Sequence, residues 1–173
     1  MTEFFSLMDG TVKQRPLQCP SATPRMSNAT LLGVVIGIAE QPRVIYLNER
    51  VAITEDILAQ TGPFNPTEVF RFSAPCQTNA CKHFDGTDCQ LAVRLVRILP
   101  AVVSSLPACQ IRRACRWYCQ EGAPACFRCP QVVTENHAAA EDVRRASGIE
   151  GPTVTYSTNI CSNDERLRPS DRR

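Results

Sequence analysis

The chain has 173 residues, enough for one domain of ordinary size with a genuine hydrophobic core. Its net charge of +2 excludes an obvious whole-molecule polyanion binder. Ten cysteines are well above ordinary usage but fewer than a miniature disulfide scaffold carries.

Residues 1–28 contain Pro16, Pro20 and Pro24 with little periodicity, which predicts a flexible N-terminal arm around Cys19. Glu3 stands where a secretory signal would be basic, and Asp9 and Gly10 cut the apolar stretch, so no signal peptide is expected. No run approaches the roughly 20 apolar residues of a membrane helix. The β-branched run from Leu31 to Ala39 reads as a buried strand. Gln41-Pro42 reads as a turn, Arg43 to Leu47 as a returning strand, and Asn48 to Arg50 as a second turn into Val51-Ala52-Ile53. Thr54 is placed to N-cap a short helix through Gln60, stopped by Gly62 and Pro63.

Leu91, Leu95, Ile98 and Leu99 fall at helical spacing, with Asp88 as the expected N-cap and Pro100 as a kink or stop. Ala101 to Leu106 reads as a further apolar turn of that helix. Residues 107–130 combine turn chemistry with five cysteines and read as loops or short helices. Asn136 to Ala146 reads as a helix closed by Gly148, and residues 149–173 as a polar tail. The expected architecture is α+β: a small antiparallel β-meander, then a helical, loop-rich cysteine half around a metal cluster. One metal-binding domain is expected over residues 29–148. No internal repeat is present.

The chemistry concentrates after residue 75, with spacings Cys76-x4-Cys81-x7-Cys89 and then Cys109-x5-Cys115-x3-Cys119-x6-Cys126-x2-Cys129. Without a secretory signal the expected compartment is the cytoplasm, where cysteines serve as thiols or metal ligands. Both cysteine groups flank the helix of residues 89–99, so its two ends are expected to bring them together. Structural zinc sites use two tight Cys-x2-4-Cys pairs, and this chain has one Cys-x2-Cys. The wider gaps suit a larger object, and Cys129-Pro130 and Cys19-Pro20 repeat the Cys-Pro step of bacterial ferredoxin loops. Arg112, Arg113, Arg116 and Arg128 lie among the ligands, which suits an anionic cluster. The expected cofactor is one [4Fe–4S] cluster, or two if all eight of these cysteines ligate; zinc is the alternative. Cys19 and Cys161, lying apart, are expected to be free thiols, and Cys119 is the least certain of the inner eight.

Cys119-x6-Cys126-x2-Cys129 resembles the first three ligands of the loop found in iron–sulfur DNA glycosylases, although Glu135 stands at the fourth position. Cys76-x4-Cys81 begins like a plant-type ferredoxin, with Phe84 where the third cysteine would fall. A broader resemblance rests on Thr67 to Phe72, His83-Phe84-Asp85-Gly86, Cys115-Arg116-Trp117, Gln120-Glu121-Gly122 and Ala125-Cys126 through Thr134. These motifs resemble a cysteine-rich bacterial family, common in cyanobacteria and sometimes loosely labelled as nitrogen-fixation proteins. That resemblance implies a cysteine-ligated cluster but no established reaction.

His83 is a possible additional ligand, though a lone loop histidine more often hydrogen-bonds the backbone. Trp117 and Pro130 are placed to shield a cluster from water. Residues 76–130 carry seven Lys or Arg against three Asp or Glu. Charge balance for thiolates explains this better than a nucleic-acid surface, because aromatic residues are not interleaved. A protein redox partner is therefore the expected partner, in electron transfer or redox sensing; no small-molecule substrate is indicated. No phosphate loop, nucleophile elbow or zinc-protease motif occurs, so acid–base enzymology is not expected.

Overall fold

β-branched residues favour the pleated half-buried surface of a sheet, and they set the first layer of the fold. In the computed structural model, which describes residues 16–135 and 139–148, strands β1 (Gln18–Ala22), β2 (Thr30–Ile38), β3 (Gln41–Ala52) and β4 (Phe70–Pro75) form one antiparallel sheet. Its strand order is β1-β4-β2-β3. The α+β expectation is therefore met, with a sheet larger than the meander of residues 30–53.

Two additions enlarge it. β1 lies in the stretch expected to be a loose arm, and it pairs with β4 through Gln18↔Pro75 and Cys19↔Ala74. Pro20 is compatible with this because β1 is an edge strand, where a missing N–H breaks no ladder. β4 is buried along Phe70 to Ala74 on both faces, so it lacks the alternation that marks a half-exposed strand. The expected turn at Asn48–Arg50 is also absent. β3 runs unbroken to Ala52 as the other edge, and the hairpin turn falls before Gln41 rather than on Pro42. At the bulge in β2, Gly33 admits the close approach of β3: a Cβ there would stand 2.5 Å from the Ile45 carbonyl oxygen.

Adjacent residues Leu31 and Leu32 of β2 enter different cores, as a period of two requires. Leu31 joins Phe70, Phe72 and Ala74, against which α1 (Glu55–Ala59) packs Ile57 and Leu58. Thr54 caps α1 as expected, accepting from the Ile57 N–H at 3.3 Å. A short α2 (Pro66–Val69), begun by a capping box of Asn65 and Glu68, leads into β4. Leu32 joins the larger core with Leu91, Leu95, Leu99, Ile111, Trp117, Val132 and Val143.

That core is roofed by α3 (Gln90–Ile98), α4 (Arg116–Glu121), α5 (Ala123–Arg128) and α6 (Glu141–Ser147). α3 presents Leu91 and Leu95 inward and stops before Pro100. Its N-cap is Cys89, not Asp88, which is buried with one carboxylate oxygen unpartnered. Ala101 to Leu106 does not continue the helix; Val102 instead donates to the Phe127 carbonyl at 2.9 Å. α6 begins at Glu141, later than expected, and ends at Gly148; residues 136–138 lie outside the described residues. The same holds for the predicted tail of residues 149–173 and for Cys161. No helix among the described residues is long and apolar enough to cross a membrane.

Candidate metal centre

Among the described residues, eight cysteines are free thiols: Cys19, Cys76, Cys81, Cys89, Cys109, Cys115, Cys126 and Cys129. They sort into two groups of four rather than meeting at the two ends of α3. In the first group, the β1–β4 register sets Cys19 beside the end of β4, and the Cys76 N–H donates to the Leu17 carbonyl at 2.7 Å. Cys81 closes a 3-10 turn over Thr78–Ala80, and Cys89 caps α3. Burial pushes the Cys19 thiol up to about 12, and the charges of Cys89 and Cys76 act on it in the same sense. Burial likewise raises Cys89, with Cys76 and Cys81 as its charged neighbours.

The loop between Cys81 and Cys89 is fixed by its own polar side chains. Asp85 accepts from the N–H groups of Thr87 and Asp88 at 2.9 and 2.8 Å and from the Gln90 side chain at 2.6 Å. Gln120 of α4 reaches across to bond both the N–H and the carbonyl of Cys89. Arg94 donates to His83 Nδ1 at 3.2 Å and to the Ala146 carbonyl at 2.7 Å. His83 is thus engaged by a cation through one ring nitrogen. Desolvation, with Arg94 and Lys82 nearby, lowers its pKa to about 4.

The second group comes from residues 109–129. Cys109 precedes a 3-10 turn over Arg112–Ala114, and Cys115 caps α4 and bridges Gln18 of β1. Gly122, with φ of 67°, allows the sharp break between α4 and α5. Cys126 and Cys129 then stand one helical turn apart at the end of α5. All four thiols line one cavity of about 20 Å³, together with Pro20, Leu32, Tyr46, Arg112, Trp117 and Ala125. Burial raises the pKa of Cys115 and Cys109 and takes Cys126 to about 11, with the neighbouring Cys129 adding to each.

Hydrogen-bond donors crowd this cavity, and acidic side chains are missing from it. Tyr46 donates its hydroxyl to Cys129 Sγ at 3.0 Å. Arg71 of β4, 1% exposed, places Nη2 at 3.9 Å from Cys129 Sγ and its guanidinium 5.5 Å from the Trp117 ring centroid. Trp117 Nε1 and Arg112 Nε are buried with no hydrogen-bond partner. Among the described residues, no carboxylate pairs with Arg71.

Two positions stand apart from the sequence-based ligand set. Cys19 is a free thiol as expected but lies beside Cys76 rather than apart from the other cysteines. Cys119 is disulfide-bonded and lies in neither group. Trp117 is 1% exposed and walls the second cavity, while Pro130 is buried behind Cys129. The functional residues that the sequence did not single out are Arg71 and Tyr46, both in strands and far from the cysteines in sequence. No three His, Cys, Asp or Glu side chains among the described residues converge closely enough to hold a single metal ion.

Fold and sites together define an α+β chain with two separate four-thiol groups. No protein-family model, curated protein or solved structure matches the chain.

Proposed function

We propose that this chain is an iron–sulfur protein that carries a [4Fe–4S] cluster at each four-cysteine group and exchanges single electrons with protein partners. The observation that carries the reading is the imbalance of charge around the second group. An unpaired buried guanidinium and orphaned buried N–H donors each cost free energy unless an anion answers them. Four neutral thiols are weak acceptors, whereas a thiolate-ligated metal group is anionic and takes hydrogen bonds at sulfur. What supports the reading is the donor chemistry: four sulfurs in each group, with apolar walls from Leu32, Trp117 and Ala125 beside the second.

Wide ligand spacing supports a cluster over a single ion, and each group contains one Cys-Pro step, at Cys19-Pro20 and Cys129-Pro130. A cluster bound at either group would supply reversible one-electron storage, reduced by a one-electron donor protein and reoxidised by an acceptor protein. The likeness to the cysteine-rich bacterial family points the same way. Eight free thiols among the described residues support a reducing compartment, and the disulfide at Cys119 is the one departure from it.

Zinc is the second reading, favoured by the tight Cys126-x2-Cys129 pair. Anaerobic purification of the full chain followed by a visible spectrum and zinc analysis separates the two. The cluster reading predicts a brown protein with broad absorbance near roughly 400 nm, from thiolate-to-iron charge transfer, that bleaches on reduction. A colourless protein with stoichiometric zinc would replace electron transfer with a structural interaction module.

A further inference from the structure

We infer that the chain binds a sugar phosphate in an arginine-lined pocket at one end of the sheet. The pocket has a volume of about 610 Å³, within the range of small-molecule sites. Four of its wall residues come from the sheet end: Gln18 opens β1, Asn28 precedes β2, Arg50 lies near the end of β3, and Pro75 closes β4. The opposite wall is the 3-10 turn of Arg112–Ala114 with the residues leading into it. Gln110 ties the two walls together, because its Nε2 donates to the carbonyls of Glu49 at 2.9 Å and Leu31 at 3.4 Å. That tether brings Arg112 and Arg113 to the same pocket as Arg50, about sixty residues earlier in the chain.

The lining has a one-sided chemistry. Arg50, Arg112 and Arg113 contribute three guanidinium groups, and no carboxylate among the described residues lines the pocket to balance them. This concentration of charge is invisible in a net charge of +2 for the whole chain. A phosphate monoester carries close to two negative charges at neutral pH, and the planar fork of arginine meets its oxygens in pairs. The rest of the polar lining is amide: Gln18, Asn28 and Gln110, which suit hydroxyl groups. Both bonds of Gln110 leave from its nitrogen, and its Oε1 has no partner; a ligand hydroxyl supplies the missing donor. No aromatic ring lines the pocket, so a nucleotide base would have no surface to stack on, which selects a sugar phosphate. The inference is independent of what the thiols hold, although Cys109 and Arg112 line both this pocket and the thiol cavity.

The test is isothermal titration calorimetry of the full chain with a hexose phosphate, the unphosphorylated hexose, inorganic phosphate and adenosine monophosphate. The hexose phosphate should bind about tenfold or more tighter than inorganic phosphate and adenosine monophosphate, and the free hexose should give no heat. Arg50→Gln and Arg113→Gln should each weaken hexose phosphate binding about tenfold, because each removes a charge-assisted contact. Both side chains are exposed, so the variants should melt like the parent when unliganded, and either one carries the test if the other does not fold. Arg97→Gln, an exposed position on α3 that does not line the pocket, should leave the affinity unchanged. No binding of hexose phosphate at millimolar concentration, or binding that both pocket variants retain in full, overturns the site. Inorganic phosphate or adenosine monophosphate binding as tightly as the hexose phosphate overturns the assignment of a sugar phosphate.

Discussion

The first cysteine group draws on residues as far apart as Cys19 and Cys89, whereas the second takes all of its members from residues 109–129. The first is assembled by strand register and then by a loop tied through Asp85 and Gln120. The second is assembled by short helices with a glycine break, and it is walled by Trp117 from the same stretch and by Tyr46 and Arg71 from the sheet. The two therefore differ in where their cysteines come from: long-range for the first, local for the second, with each frame mixing local and distant side chains. Long-range parts can be removed without disturbing their local counterparts, which gives a set of contrasts between the groups.

Ligand loss should have the largest effect. Cys129→Ser and Cys19→Ser should each remove about half of the bound iron, since each touches one group, and Cys119→Ser should leave the iron count unchanged. Iron analysis of the three variants checks this; loss of all iron from either of the first two would mean one shared site. Next is the frame of the second group. Trp117→Ala opens a cavity in the main core and should cost about 3–5 kcal/mol in denaturant unfolding. It should also speed bleaching of the second group by oxygen more than that of the first. Tyr46→Phe removes the hydroxyl that meets Cys129 and should cost about 1 kcal/mol. Its signature is a lowered second-group midpoint with the first unmoved.

The smallest effect belongs to the first group. His83 titrates near 4 in the fold against an ordinary value of about 6.5. Between those values the unfolded chain binds more protons, so His83 contributes stability above pH 6.5 that is lost as pH falls toward 4. His83→Gln should flatten that part of the stability profile, measured by thermal melts across the window. An unchanged slope would remove His83 from the account of the first group.

The same difference explains which parts were legible in the sequence. Seven of the eight free thiols stood out because they cluster along the chain, and Thr54, Pro100 and Gly148 marked helix boundaries by local chemistry. Cys19 was invisible as a site residue because only pairing between β1 and β4 brings it to Cys76. β4 was missed because burial on both faces erases the alternation that marks a strand, and with it went Arg71. Nothing local in Phe70-Arg71-Phe72 shows that its cation meets sulfur. Cys119 misled in the opposite way, sharing the spacing of its neighbours without sharing their pocket.

If eight thiols hold two clusters, the full chain purified anaerobically carries about eight iron and about eight acid-labile sulfide, four of each for each group. A count near four would leave one group without a cluster. Zinc in place of iron, or no metal at all, would mean that the thiols hold no cluster.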